Sequence, residues 1–231
     1  GGYVFPGAVD KGIMAEIRPN GTNTIMLYSI DLKDRVEFAV NDPKGPRATW
    51  ARYIYGVVRE MLDRGIAIAG FNAAFYGDVP LGAGMSSSAA LESCFAFALN
   101  DLFGNNQLSK WDLALIGQAT EHKYIGVNCG IMDQFAVGMG KKDHAIFLDC
   151  ATLEYELVPV KLGDYRIVIM NTNKRRELAD SKYNERFAET RIALKELQEH
   201  VAIESLGDLT IDQFDAVKHH LSSELLVKRA R

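Results

Sequence analysis

The chain has 231 residues, with 26 Lys+Arg against 30 Asp+Glu and 48% hydrophobic residues, a globular composition that excludes disorder, collagen and small disulfide scaffolds. Its formal net charge of −4 argues against nucleic acid or a membrane surface as partner. Those partners need clustered Lys and Arg, and only short patches such as Lys174-Arg175-Arg176 occur. Cys94, Cys129 and Cys150 are odd in number and widely spaced, so neither a disulfide framework nor a thiolate zinc site is indicated, and a reducing cytoplasm fits.

The predicted elements mix strands and helices. Ile25 to Ile30 and Val36 to Val40 alternate like strands, and Asn41-Asp42-Pro43-Lys44-Gly45-Pro46 is a loop signal. Trp50, Tyr53, Ile54, Val57, Val58, Met61 and Leu62 fall at helical spacing before a Gly65 stop. Ile66 to Tyr76 has the pattern of a strand, and a long apolar helix is expected from Ser87 to Leu102. Its most apolar window, Ala89 to Leu99, contains Glu92 and Ser93 and falls short of the roughly 18 apolar residues of a membrane span. Nor does a basic segment followed by an apolar one mark a secretory signal.

Ser109 with Asp112 three residues on is a capping box opening a helix through His122. Strands are expected at Ala145–Leu148, Tyr155–Val160 and Ile167–Met170, and helices around Arg186–Leu197 and Ile211–Leu221. Without strict β-α-β alternation, α+β is favoured over a doubly wound sheet. The opening Gly1-Gly2-Tyr3 lacks an initiator Met, and Leu225 to Arg231 carries no helix stop signal, so a fragment of a longer chain is expected.

The stretch that carries chemistry is Pro80-Leu81-Gly82-Ala83-Gly84-Met85-Ser86-Ser87-Ser88-Ala89-Ala90. Gly82 and Gly84 permit positive φ and close backbone approach. The serines open a helix whose first N–H groups have no intrahelical partner and whose dipole end is positive. That is an anion cradle suited to phosphate, with hydroxyls that could reach Mg²⁺, although a Ser-rich cap on a buried helix would look the same. Met85 stands where a Walker A loop needs Lys.

This segment resembles the second motif of the GHMP small-molecule kinases, Pro-x-Gly-x-Gly-Leu-Ser-Ser-Ser-Ala, with Met85 in place of Leu. Cys129-Gly130-Ile131-Met132-Asp133-Gln134-Phe135 and Gly1-Gly2-Tyr3-Val4-Phe5-Pro6 resemble further segments of its galactose-phosphorylating branch. The resemblance implies a two-domain α+β fold with nucleotide and sugar bound between the domains, residues 1–175 forming most of the first and 176–231 the start of the second. It implies transfer of the γ-phosphoryl group of ATP to the C1 hydroxyl of galactose in the cytoplasm, with Mg²⁺ as cofactor. A monomer is expected.

By the same resemblance Asp133 is the catalytic aspartate, which orients or deprotonates the acceptor hydroxyl, and Ser87 and Glu121 hold Mg²⁺. Gly82, Ala83, Gly84, Met85, Ser86, Ser87 and Ser88 cradle the nucleotide phosphates, and Trp50 lines the adenine pocket. Gly130, Asp133 and Tyr183 contact the sugar. On the residues alone, Asp133 reads as a turn aspartate and Glu121 as a solvated helix residue, while Trp50 also suits core packing, Tyr183 a half-buried helix tyrosine and Gly130 a turn glycine. His122 beside Glu121 is a helix-surface residue and is not assigned to a metal. The family's first motif, with an Arg partner for the aspartate and most of the sugar-reading residues, and its third, glycine-rich motif are not in this sequence. Kinases for N-acetylgalactosamine or mevalonate, and a non-catalytic sensor of galactose and ATP, are the alternatives. Relatives of the sensor type lose a Ser-Ala pair that stands here as Ser88-Ala89.

Overall fold

A computed structural model describes residues 2–80, 84–171 and 181–231, which fall into two compact units. The larger spans Pro6–Ile146 and Leu157–Ala179, and the smaller joins Gly1–Phe5 and Phe147–Glu156 to Asp180–Arg231. Gly82 and Ala83 of the cradle and the basic patch at 174–176 lie outside the described residues.

The larger unit is built on a four-stranded sheet of β2 (Ile13–Pro19), β3 (Thr24–Ser29), β4 (Asp34–Ala39) and β5 (Phe71–Gly77), in the order β2-β5-β3-β4. β5 runs antiparallel to β2, with Ile13 opposite Gly77, and parallel to β3, with Met26 opposite Asn72. Period-two alternation sends Ile25, Leu27, Phe71 and Phe75 inward and leaves Met14, Tyr28 and Tyr76 outside. The inner face packs on α1 (Thr49–Asp63) and α2 (Ser87–Gly104) through Ile54, Val57, Met61, Phe95 and Leu99, with Phe75 and Phe95 edge to face at 5.6 Å. α3 (Lys110–Thr120) starts at the expected capping box: Ser109 N–H donates to Asp112 Oδ2 at 2.9 Å, and Asp112 N–H donates to Ser109 Oγ at 3.1 Å. A π-helical turn (Glu121–Ile125) and α4 (Met132–Met139) complete the helical layer.

In the smaller unit, α5 (Ser181–Gln198), α6 (Ile211–Val217) and α7 (Glu224–Ala230) bury Ala193, Leu197, Phe214 and Leu226. A second sheet orders β1 (Tyr3–Val4), β6 (His144–Asp149) and β7 (Tyr155–Pro159). Among the described residues no helix is long and apolar enough to cross a membrane.

Four expectations are corrected. Ile66–Gly70 is a connection rather than the start of β5, because Ile66 and Ile68 N–H groups bond locally, to Met61 and Ile66 carbonyls. Ile167–Met170 is not a strand: it has no ladder partner among the described residues and its side chains are exposed. α3 ends at Thr120 and continues as the π-turn, and the Asp133 segment is a helix rather than a turn.

Candidate active site

α2 is an 18-residue helix that begins inside the cradle sequence, at Ser87. Gly84 and Ser86 both take left-handed backbone, at φ +76° and +56°. For a serine that conformation is uncommon, and it turns the chain sharply into the helix. Ser86 makes no side-chain cap bond, so it leaves first-turn N–H groups of α2 for an anion at the positive end of the dipole.

Behind this terminus stands a group of carboxyls. Glu121 opens the π-turn and is buried. Burial raises its pKa above the ordinary carboxylate range, opposed by the polar Ser88 hydroxyl and reinforced by the charge of Asp133. The serine that bears on the Glu121 carboxyl is thus Ser88, one position beyond Ser87. Asp133 lies in the first turn of α4 and is half-buried, its carboxyl at the favourable end of that helix.

Glu92 on α2 is fully buried, with its carboxyl pushed well above the usual range by burial and by Glu121. Its Oε2 accepts from Gln134 Nε2 at 3.2 Å. The same surroundings raise the Tyr53 hydroxyl and push the Cys129 thiol to about 12, burial leading in each. Tyr53 OH, Glu92 Oε1, Thr120 Oγ1 and Gln134 Oε1 are buried without a hydrogen-bond partner.

Backbone bracing fixes these groups. Gly126 and Val127 N–H both donate to the Glu121 carbonyl, at 2.8 and 3.0 Å, closing the π-turn, a rare element that often marks functional positions. His122 Nε2 and Gln118 Nε2 donate to the Cys129 carbonyl at 2.8 and 3.3 Å, holding the loop that leads to Asp133. Lys123 Nζ ties the π-turn to α1 through buried Glu60 at 2.8 Å. Gly117 of α3 allows a close approach: a Cβ there would lie 2.8 Å from Gln134 Cγ and 3.1 Å from Glu92 Oε2.

The donor set fits Mg²⁺. Glu121 and the serine hydroxyls are hard oxygen ligands, and no group of three or more His, Cys, Asp or Glu among the described residues could hold a metal by itself. Mg²⁺ keeps several waters, takes substrate phosphate oxygens and needs only one or two protein ligands.

The GHMP kinases N terminal domain matches residues 52–141, which contain the cradle, Glu92, Glu121 and Asp133. All of this chain aligns with the crystal structure of Lactococcus lactis galactokinase complexed with galactose, at 44% identity and a TM-score of 0.94, over 60% of that chain. Residues 52–141 thus carry a GHMP kinase N-terminal domain. It is 50% identical to the galactokinase of Lactiplantibacillus plantarum over its whole length and 43% identical to that of Clostridium tetani. It spans about three fifths of the length of these curated relatives, 60% and 59%.

The expected residues stand in different surroundings. Ser88, Glu121 and Asp133 lie in the larger unit, where Ser88 and the charge of Asp133 both bear on the Glu121 carboxyl. Trp50 stands at the start of α1 against Phe75, centroids 5.5 Å apart, with Nε1 donating to Asp34 at 2.9 Å. Gly130 is exposed, and a Cβ there would meet open space. Tyr183 is 52% exposed on α5, in the smaller unit. Glu92, Gln134 and Tyr53 escaped the sequence reading of the site. Their one signal was a glutamate inside the most apolar window of the chain.

Proposed function

We propose that this chain is the nucleotide- and acceptor-handling part of a galactokinase, which transfers the γ-phosphoryl group of ATP to the C1 hydroxyl of galactose. The observation that carries the reading is the placement of the α2 N-terminus, Ser88, Glu121 and Asp133 in one unit, with Ser88 and Asp133 both acting on the Glu121 carboxyl. The galactokinase relatives support the choice of sugar. In this reading N–H groups of 82–88 bind the phosphates, and Glu121 with Ser87 or Ser88 holds Mg²⁺. The ion, when bound, neutralises developing phosphate charge.

Asp133 accepts the hydrogen bond or the proton of the C1 hydroxyl, whose oxygen then bonds to the γ-phosphorus as the bond to the ADP oxygen breaks. Trp50 flanks the adenine, and Gly130 and Tyr183 touch the sugar. Positioning and electrostatics carry the rate, and no covalent enzyme intermediate forms. The arrangement is two-domain, with 1–175 in the first domain and 176–231 opening the second, and the setting is the cytoplasm.

The test is ADP release by the full reading frame containing this sequence, with Mg²⁺ present and galactose, N-acetylgalactosamine or mevalonate as acceptor. Turnover on galactose is expected. Turnover only on another acceptor, or nucleotide and sugar binding without turnover, overturns the assignment. Replacing Ser87 and Ser88 singly by Ala and titrating Mg²⁺ separates their roles, with the larger loss expected for Ser88→Ala.

A further inference from the structure

We propose that Glu92 is a positioning residue for the transfer site: its carboxyl and the Gln134 carboxamide form one reciprocal pair that fixes the first turn of α4, and with it Asp133, against α2. The role rests on the kinase reading of Asp133.

Glu92 is 0% and Gln134 2% exposed, so water cannot satisfy either group. One bond is direct, from Gln134 Nε2 to Glu92 Oε2 at 3.2 Å. The remaining oxygen of each side chain, Glu92 Oε1 and Gln134 Oε1, is orphaned. Two orphaned acceptors on bonded partners are complementary once one carries a proton. A hydrogen on Glu92 Oε1 donates to Gln134 Oε1 and closes an acid–amide ring with two parallel hydrogen bonds. Burial and the charges of Glu121 and Asp133 favour that protonated form. Gly117 leaves the space in which the ring sits.

The pair lies where it matters for Asp133. Gln134 is the next residue along α4. Glu92 lies one turn beyond Ser88 on α2, on the same face. A single pair thereby joins the helix that carries the cradle to the helix that carries the aspartate.

Hydrogen exchange of the α4 amides in this chain tests the proposal without reference to activity. Glu92→Gln preserves both hydrogen bonds, and exchange should stay within about twofold of wild type. Glu92→Leu and Gln134→Leu should each speed α4 exchange by about tenfold or more while β3 amides change far less. The double variant should be no faster than either single one. Unchanged α4 exchange in the Leu variants, additive single effects, or Glu92→Gln as fast as Glu92→Leu overturns the pair. Should Glu92→Leu not fold, Gln134→Leu set against Glu92→Gln gives the same decision.

In the full reading frame, Glu92→Leu should lower kcat by about tenfold with nucleotide affinity unchanged, and Glu92→Gln should restore kcat. A wild type without turnover counts against the kinase reading and leaves the exchange result to decide the pair.

Discussion

At the residue scale the acids divide by surroundings. Asp133 is half-buried at a helix start, where a carboxylate can meet an acceptor hydroxyl, while Glu92 is sealed from water. In the full reading frame, Asp133→Asn should lower kcat by about a thousandfold while calorimetry finds nucleotide affinity nearly unchanged. Glu92 predicts a pH effect of definite sign. Its folded pKa is raised above the ordinary 4.5, so above that pH the unfolded chain releases a proton that the folded chain retains. Stability from this group is therefore full below about pH 4.5 and falls by about 1.4 kcal/mol per pH unit above it, until the folded carboxyl itself ionises. Glu92→Gln should gain on wild type in urea melts as pH rises from 5 to 8. Parallel curves would refute this. The cradle serines were legible because Gly and Ser at a helix start have a local meaning. Glu92 was not, because its importance arises from burial against α3 and α4, which no local pattern records.

At the element scale, long periodic segments were readable and short or irregular ones were not. α1 carries an apolar stripe over four turns, and the Ser109–Asp112 box marked the start of α3. α4 has only eight residues, two turns in which periodicity cannot declare itself. β2 places Met14 on its exposed side, which blurs its alternation. The π-turn depends on two N–H groups sharing the Glu121 carbonyl, a matter of backbone geometry that the residue types do not encode. Close packing of α3 against Glu92 and Gln134 gives a direct prediction. Gly117→Ala gains about 1 kcal/mol of helix propensity but forces two buried side chains aside, for a net loss of about 1–2 kcal/mol in thermal melts. A melting temperature at or above wild type would show that the helices can part without cost.

At the scale of the whole molecule, the fold was legible through composition and order of elements, and the family through its motifs. The chain spans about three fifths of the length of its relatives, with Ser88, Glu92, Glu121 and Asp133 in one unit and Tyr183 in the other. Residues 1–231 alone should show no galactose-dependent ADP release, because transfer requires both substrates held in line. A coupled assay on the purified chain checks this, and robust turnover would contradict it. The order β2-β5-β3-β4 also has a history written into it. β3 and β4 are neighbours in the chain and can zip within microseconds of leaving the ribosome. β2 emerges before either, yet its partner β5 follows only after α1, so at roughly ten residues per second its edge stays bare for several seconds. Glu16 and Arg18, alternating with Ile13, Ala15 and Ile17, keep that waiting edge charged, so the nascent strand is protected from joining a stranger before its own partner is made.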